Sequence, residues 1–442
     1  MPLPFGTNEG PDLDIGYGRP MQLSSVFKGL ANPFQLFPAG MAGGYAIHTD
    51  YQKNPFLIVD LESIRLIRRI RVFNFGRHAQ RAIPLAVSIS DDGQAWREVG
   101  RAVEIFGDRT DGAPLDIPFA HPRPQARYVR LMVEKETYLS LDYIEISTPT
   151  PNFEKARLLK FDTSGKDILA EYSHFNSGGF SWTFTLTLTA IKQCLANGIV
   201  ISRVDYSLCL AHFKDRPGTD LYPVLFTPPV IANRPEHLKN IAFNQHDVYG
   251  LLALGKINHY AKLYFTPSDK VAGFAQELVR KYDLDPENTL AMVYRGTDKN
   301  IEVPPAPIEH YIAVARAAQR RHPGIKIIIQ TDQEQVLKTV LEALPDAIFF
   351  EELPVTSGSK VMHQLAIKDE FRIGKTDFAI RMLAVTHLLS GMKYVVTHTG
   401  NIGFWLAVYR GRDAGLYQFD KQATLRGPGG TVIEDLASLE LP

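Results

Sequence analysis

Thr289-Leu290-Ala291-Met292-Val293-Tyr294-Arg295-Gly296-Thr297-Asp298-Lys299 is the stretch that decides how this chain is read. Its first six residues are mostly apolar, have the length of a short strand, and give way abruptly to a polar, cationic run. The same arrangement recurs twice. Ile325-Lys326-Ile327-Ile328-Ile329-Gln330 is followed by Thr331-Asp332, and Tyr394-Val395-Val396 by Thr397-His398-Thr399-Gly400-Asn401. Between these apolar runs lie segments with helical spacing, Ile308 to Arg321, Gln333 to Leu344 and Thr376 to Ser390, and a further short strand, Ala347 to Phe350. Short apolar strands alternating with helices predict a parallel sheet with helices on both faces.

Upstream, Arg157-Leu158-Leu159-Lys160-Phe161 reads as a strand, and Asn176-Ser177-Gly178-Gly179-Phe180 leads into a helix-length segment, Trp182 to Asn197, closed by Gly198. Ile199-Val200-Ile201 reads as the next strand. This order resembles the start of a Rossmann-like unit, although Asn176 to Gly179 is equally compatible with an ordinary tight turn.

Up to about residue 147 the periodicity is different. Phe56 to Leu61, Ile67 to Phe73, Leu85 to Ser90, Tyr128 to Val133 and Leu141 to Ile146 are rich in β-branched and aromatic residues and are separated by turn-formers. Asp91-Asp92-Gly93 is a hairpin signal, and no helix of ordinary length is expected. A β-sandwich follows. Thr148-Pro149-Thr150-Pro151-Asn152 reads as an extended linker. The expected organisation is a sandwich over 1–147, a linker over 148–154, a Rossmann-like domain on the acceptor side over 155–287, and a second one carrying the donor site over 288–442.

Composition sets the bounds. The chain has 442 residues, 45% apolar and 22% charged, with 48 basic and 48 acidic side chains. That balance gives no general attraction to nucleic acid or to an anionic membrane. The two cysteines, Cys194 and Cys209, read as small buried residues, with no disulfide framework and no thiolate metal site. The start, Met1-Pro2-Leu3-Pro4-Phe5-Gly6, does not read as a signal peptide, and no run of about 18 apolar residues predicts a membrane span. The expectation is a soluble, cytoplasmic protein.

Arg295 to Lys299, Thr331-Asp332 and Thr397 to Asn401 all fall just after expected strands, so they should line the carboxyl rim of one sheet, where open parallel sheets bind ligands. Each of Asp298, Asp332 and Asn401 alone could instead cap the following helix. Together the clusters suit a nucleotide diphosphate. Arg295 can take phosphate oxygens in a bidentate contact, Lys299 adds a compact charge, and helix amides after Gly400 can assist. No Asp-x-Asp stands at a strand end, so no metal is expected. A hydrolase would need a pair of carboxylates at fixed separation, which the sequence does not offer.

Two resemblances add to this reading. Gly18-Arg19-Pro20 with Ser24-Ser25, Phe56 to Leu61, Ser88-Ile89-Ser90-Asp91-Asp92-Gly93-Gln94-Ala95-Trp96 and Arg127-Tyr128-Val129-Arg130-Leu131 resemble the strands of the discoidin, or coagulation factor 5/8 type C, domain. That resemblance implies glycan or lipid binding through loops at one end of the sandwich. His48, Asp50, Tyr51, Asn74, Arg77, His78 and Arg81 lie in or near such turns and could bind a glycan, or be solvated turn residues.

Arg295-Gly296-Thr297-Asp298-Lys299, Pro307-Ile308-Glu309-His310-Tyr311, Ile329-Gln330-Thr331-Asp332 and Asp377 to Trp405 resemble the α1,6-fucosyltransferases and their rhizobial nodulation relatives. The resemblance implies a GT-B fold, a GDP-fucose donor and inverting, metal-independent transfer to a glycan or glycoconjugate hydroxyl, with no other cofactor. It implies that Arg295 holds the β-phosphate, that Asp298 with Lys299 binds or orders the donor, and that Asp332 lies near the guanosine; Tyr294, Gly296 and Thr297 belong to the same expected donor-binding stretch. Thr399, Gly400 and Asn401 would lie near the phosphates. Glu302 falls one residue closer to Lys299 than the family's proposed base; it could take the acceptor proton or be a solvated loop carboxylate. The chain departs from the family at Val293 (a family histidine), Gly296 (a second arginine) and Val385 (near a family aspartate). The alternative is a non-catalytic glycan- or nucleotide-binding protein with a degenerate transferase domain.

Overall fold

The computed structural model describes residues 9–27, 47–110, 113–120, 122–151, 156–165, 167–174, 179–233, 238–296, 305–357, 373–436 and 439–441. The chain divides into two compact units, one of residues 1–171 with 193–201, the other of residues 172–192 with 202–442.

The first unit is built on two antiparallel sheets. One runs Met21–Leu23, Phe56–Leu66, Gln125–Val133, Leu85–Ser90 and Arg97–Ala102; the other runs Glu9–Asp14, Ser140–Pro151, Arg69–Asn74 and Leu115–Pro118, with Ile47–His48 also on Ser140–Pro151. Register follows the period-2 pattern. Val129 pairs with Val59 and Ile89, and Leu131 with Leu57 and Val87, so these buried residues form two apolar rows across three strands. The Ser90 to Trp96 turn is held by its own side chains. Oγ of Ser90 accepts from the amides of Asp92 and Gly93, and Asp92 Oδ1 from those of Gln94 and Ala95. Gly93 has φ +75°, the conformation that favours glycine. Arg130 lies with its guanidinium carbon 4.3 Å from the Trp96 ring centroid.

The stretch read as a linker is corrected from its first residue. Thr148 to Pro151 continue the strand Ser140–Pro151, pairing Thr148 with Leu13, Pro149 with Asp12 and Pro151 with Glu9. Beyond Ser147 this strand is paired on one side only among the described residues, and there a proline's missing N–H need not break a ladder. Residues 152–154 of the expected linker lie outside the described residues.

Ala156–Asp162, Ile168–His174 and Ile199–Asp205 form a three-stranded sheet, and Phe180–Ala196 is the expected helix, ended by Gly198 at φ +70°. Its threonines at 183, 185, 187 and 189 alternate as in a strand, yet are helical and buried. Each hydroxyl donates to the carbonyl four residues back, which removes the cost of burying it. From residue 206 to 288 the described residues hold helices, turns and isolated bridges but no further strand.

In the second unit six strands run Lys326–Thr331, Thr289–Tyr294, Tyr394–His398, Leu416–Phe419, Leu425–Arg426 and Val432–Ile433. The first four are parallel; Leu425–Arg426 turns back antiparallel to them, and Val432–Ile433 pairs antiparallel with it in turn. Leu290, Met292, Ile327, Ile329 and Val396 join Tyr311, Val314, Ala315 and Ala318 of the helix Ile308–Arg321 in one buried cluster. Ala347 to Phe350 is not a full strand: Ile348 makes a single parallel bridge to Ile328. Among the described residues no helix is long and apolar enough to cross a membrane, and no group of three or more His, Cys, Asp or Glu stands ready for a metal. Cys194 and Cys209 are both buried and free, and burial pushes the Cys209 thiol up to about 12.

Candidate functional site

The chain runs from Thr289–Tyr294 to Lys326–Thr331 on one side, then crosses back to Tyr394–His398 on the other. A sheet whose strand order reverses in this way opens a crevice at the carboxyl ends of the strands. A cavity of about 540 Å³, counting its open mouth, lies there. The strand ends supply Tyr294, Arg295, Thr331 and Asp332; the helix Lys375–Ser390 supplies Phe378, Met382 and Val385 among others; the first turn of Asn401–Arg410 supplies Ile402. Among the described lining residues the walls are mainly apolar, and Arg295 and Asp332 are the charged groups.

Those two are tied together. Nε of Arg295 lies 2.9 Å from Oδ2 of Asp332, with the carboxylate side chain only 5% exposed. Oδ1 of Asp332 accepts from the Gly296 amide at 3.1 Å. A Cβ at residue 296 would collide with the Gln333 side-chain oxygen, so an arginine there would displace Gln333. Burial, and after it the charge of Asp332, raises the Tyr294 hydroxyl above the usual tyrosine range. Asp332 does not cap a helix: the helix Glu334–Ala343 starts at Gln333 without a side-chain cap.

The third cluster is held differently. Thr399 donates its amide to Phe419 O and Gly400 its amide to Gln245 O, both at 2.9 Å. The Tyr249 hydroxyl donates to Gly400 O at 2.9 Å, and Gly400 has φ +133°, a conformation essentially reserved for glycine. The Thr185 hydroxyl accepts from Trp405 Nε1 at 3.0 Å and shares its one proton between Ser181 O at 3.1 Å and Oδ1 of Asn401 at 3.0 Å. These groups are engaged within the protein, so any phosphate contact at this turn falls to the remaining amides of the helix start. Nothing in the sequence signals the part of Gln245 and Tyr249, which approach this turn from about 150 residues away. Thr297, Asp298, Lys299 and Glu302 lie outside the described residues.

A second constellation sits on the sandwich. Thr137 pairs with Gln52 in a two-residue ladder, which sets the flanking Tyr138 and Tyr51 side by side, ring centroids 5.3 Å apart. His48 reaches the same ring at 5.5 Å, and the Arg81 guanidinium carbon stands 4.8 Å from its centroid. Tyr51 is 57% exposed. Nδ1 of His48 faces Thr49 O at 2.8 Å, and burial holds the imidazole below its usual range. Three expected residues, His48, Tyr51 and Arg81, thus converge on Tyr138, which the sequence reading missed. Asn74 does not join them. It is fully buried, donates to Ala79 O and accepts from the Phe75 amide, and so shapes the turn Gly76–Ala82 that carries Arg77 and Arg81. Arg77 is exposed on that turn.

The class defined by this geometry is a β-sandwich module joined to an α/β unit with a switch-point cavity. The model of the F5/8 type C domain family matches residues 38–143, so the chain contains a discoidin-like domain there. Among solved structures, the lectin domain of lectinolysin complexed with Lewis B antigen is 22% identical, with a TM-score of 0.24, over 30% of this chain and 95% of its own. A Streptococcus pneumoniae fucose binding module is 22% identical, TM-score 0.26, over 30% and 94%. Chitosan-binding module 1 of a chitosanase/glucanase from Paenibacillus sp. IK-5 is 16% identical, TM-score 0.23, over 30% and 98%. No curated protein matches the chain.

Proposed function

We propose that this chain is a glycosyltransferase that takes a sugar from a nucleotide diphosphate, GDP-fucose in the simplest case, and transfers it with inversion to a glycan hydroxyl without a metal. The observation that carries the reading is Arg295, a mostly buried guanidinium at a strand end in the switch-point cavity. In this scheme the acceptor oxygen attacks the anomeric carbon, the bond from that carbon to the diphosphate oxygen breaks, and the nucleoside diphosphate leaves with the bonding pair. A preorganised guanidinium stabilises that growing charge. The acceptor proton passes to a carboxylate, the part the fucosyltransferase resemblance gives to Glu302. A GT-B pair of domains belongs to the same proposal.

The discoidin-like sandwich is the glycan-holding module in this reading. Tyr51 and Tyr138 offer ring faces, and Arg81 and His48 offer polar edges beside them.

A second reading, a non-catalytic protein that binds glycan and nucleotide, draws on Asp332, which already pairs with Arg295, and on the engaged Thr399 and Gly400 amides. Calorimetry with GDP, followed by incubation with GDP-fucose, separates the readings. GDP binding with release of fucose supports the transferase; binding without turnover of any sugar nucleotide supports the second; no binding sinks both for the α/β unit.

A further inference from the structure

Asp332 acts on two neighbours at once. Its Oδ2 stands 2.9 Å from Nε of Arg295 as an ion pair, and its Oδ1 accepts from the amide of Gly296, so one carboxylate meets both the side chain and the turn at the end of Thr289–Tyr294. Its own backbone is anchored from behind, where its carbonyl accepts from the Thr356 amide at 2.9 Å and from the Thr356 hydroxyl at 3.1 Å. A nucleoside hydroxyl or base reaching this carboxylate would have to compete with both contacts at a residue that is only 5% exposed.

We propose that Asp332 is a positioning residue for Arg295, orienting the guanidinium for a diphosphate, and is not a nucleoside ligand. The proposal rests on the reading of Arg295 as the diphosphate-binding group. Two effects of the carboxylate oppose each other. Its charge repels an incoming anion. Its contact at Nε restrains a side chain that otherwise gives up rotamer freedom on binding. Orientation is the larger effect here, because Asp332 is fixed by the Gly296 amide at its carboxylate and by Thr356 at its carbonyl.

The test is calorimetry on the full chain with two probes, inorganic pyrophosphate and GDP, for wild type and Asp332→Asn. The variant keeps an oxygen for the Gly296 amide and loses the charge that holds Arg295. The expected result is a fall of about tenfold in affinity for both probes, with the ratio of GDP to pyrophosphate affinity unchanged. Equal or tighter binding by the variant overturns the proposal, because Asp332 is then only a competing charge. A larger fall for GDP than for pyrophosphate also overturns it, by showing a nucleoside contact. Wild type that binds neither probe removes the reading of Arg295 and this inference with it. Where Asp332→Asn fails to fold, Thr356→Val is measured in its place. A fall of about threefold with the same constant ratio is expected, and unchanged affinity overturns the proposal.

Discussion

Arg295 and Asp332 close an ion pair at 2.9 Å across the carboxyl ends of two neighbouring parallel strands, at the edge of a cavity whose other walls are largely apolar. The pairing register sets this meeting. Tyr294 lies opposite Thr331, so the next residue on each strand arrives at the same level. A lysine at 295 keeps the charge but not the planar fork or the Nε contact. Arg295→Lys is expected to fold and to bind GDP about tenfold more weakly, as read by calorimetry. Unchanged affinity would show that charge alone suffices.

Tyr138 and Arg81 are the centre of the sandwich constellation. Replacing Tyr138 with alanine removes the ring that Tyr51, His48 and Arg81 surround, and Arg81→Ala removes a cation–π contact of about 0.5–2 kcal/mol. Both variants are expected to lose signal on a glycan array relative to wild type while melting cooperatively. An array on which wild type binds no glycan would leave the constellation a structural aromatic cluster.

Arg109 and the buried Asp142 form a bidentate ion pair in the sandwich. The guanidinium donates at 2.8 and 3.0 Å, and Asp142 is 1% exposed. Asp142→Ala leaves the arginine without that partner and is expected to cost about 3–5 kcal/mol in urea unfolding. A loss below 1 kcal/mol would mean that solvent reaches the pair readily.

Gly403 lies in the first turn of the helix Asn401–Arg410, and a Cβ there would run into the His398 carbonyl of the preceding strand. The obstacle is backbone, so the helix itself must shift. Gly403→Ala is expected to destabilise the α/β unit by about 1–3 kcal/mol, measured by thermal unfolding.

His48 gives a pH dependence with a defined sign. Burial lowers its folded-state value below 6.5, so the unfolded chain takes up the proton first as pH falls. The neutral imidazole's contribution is complete above about pH 6.5 and is lost as pH drops from there through the folded value. His48→Asn is expected to flatten the stability profile over that range. An identical slope in both proteins would assign the dependence elsewhere.

The sequence carried these features unequally. The strands Phe56–Leu66, Leu85–Ser90 and Gln125–Val133 announce themselves by β-branched runs and alternation, and Lys326–Thr331 by its unbroken apolar core. Short edge strands such as Leu115–Pro118 carry too few residues for a period to show. The prolines at 149 and 151 argue against a strand unless the one-sided pairing is known. Arg295 and Asp332 were legible as strand-end residues, but their contact depends on register, which spacing alone does not set. Tyr138 was hidden because a two-residue ladder, too short to leave a pattern, brings it to Tyr51.

The most direct test of the transferase reading is hydrolysis of a panel of sugar nucleotides by wild type and Arg295→Ala, which requires no choice of acceptor. The account predicts release of sugar from GDP-fucose by wild type and a rate at least about a hundredfold lower in the variant, as expected for loss of a preorganised charge at the leaving group. A wild-type protein that hydrolyses no sugar nucleotide, or a variant as active as wild type, would contradict it.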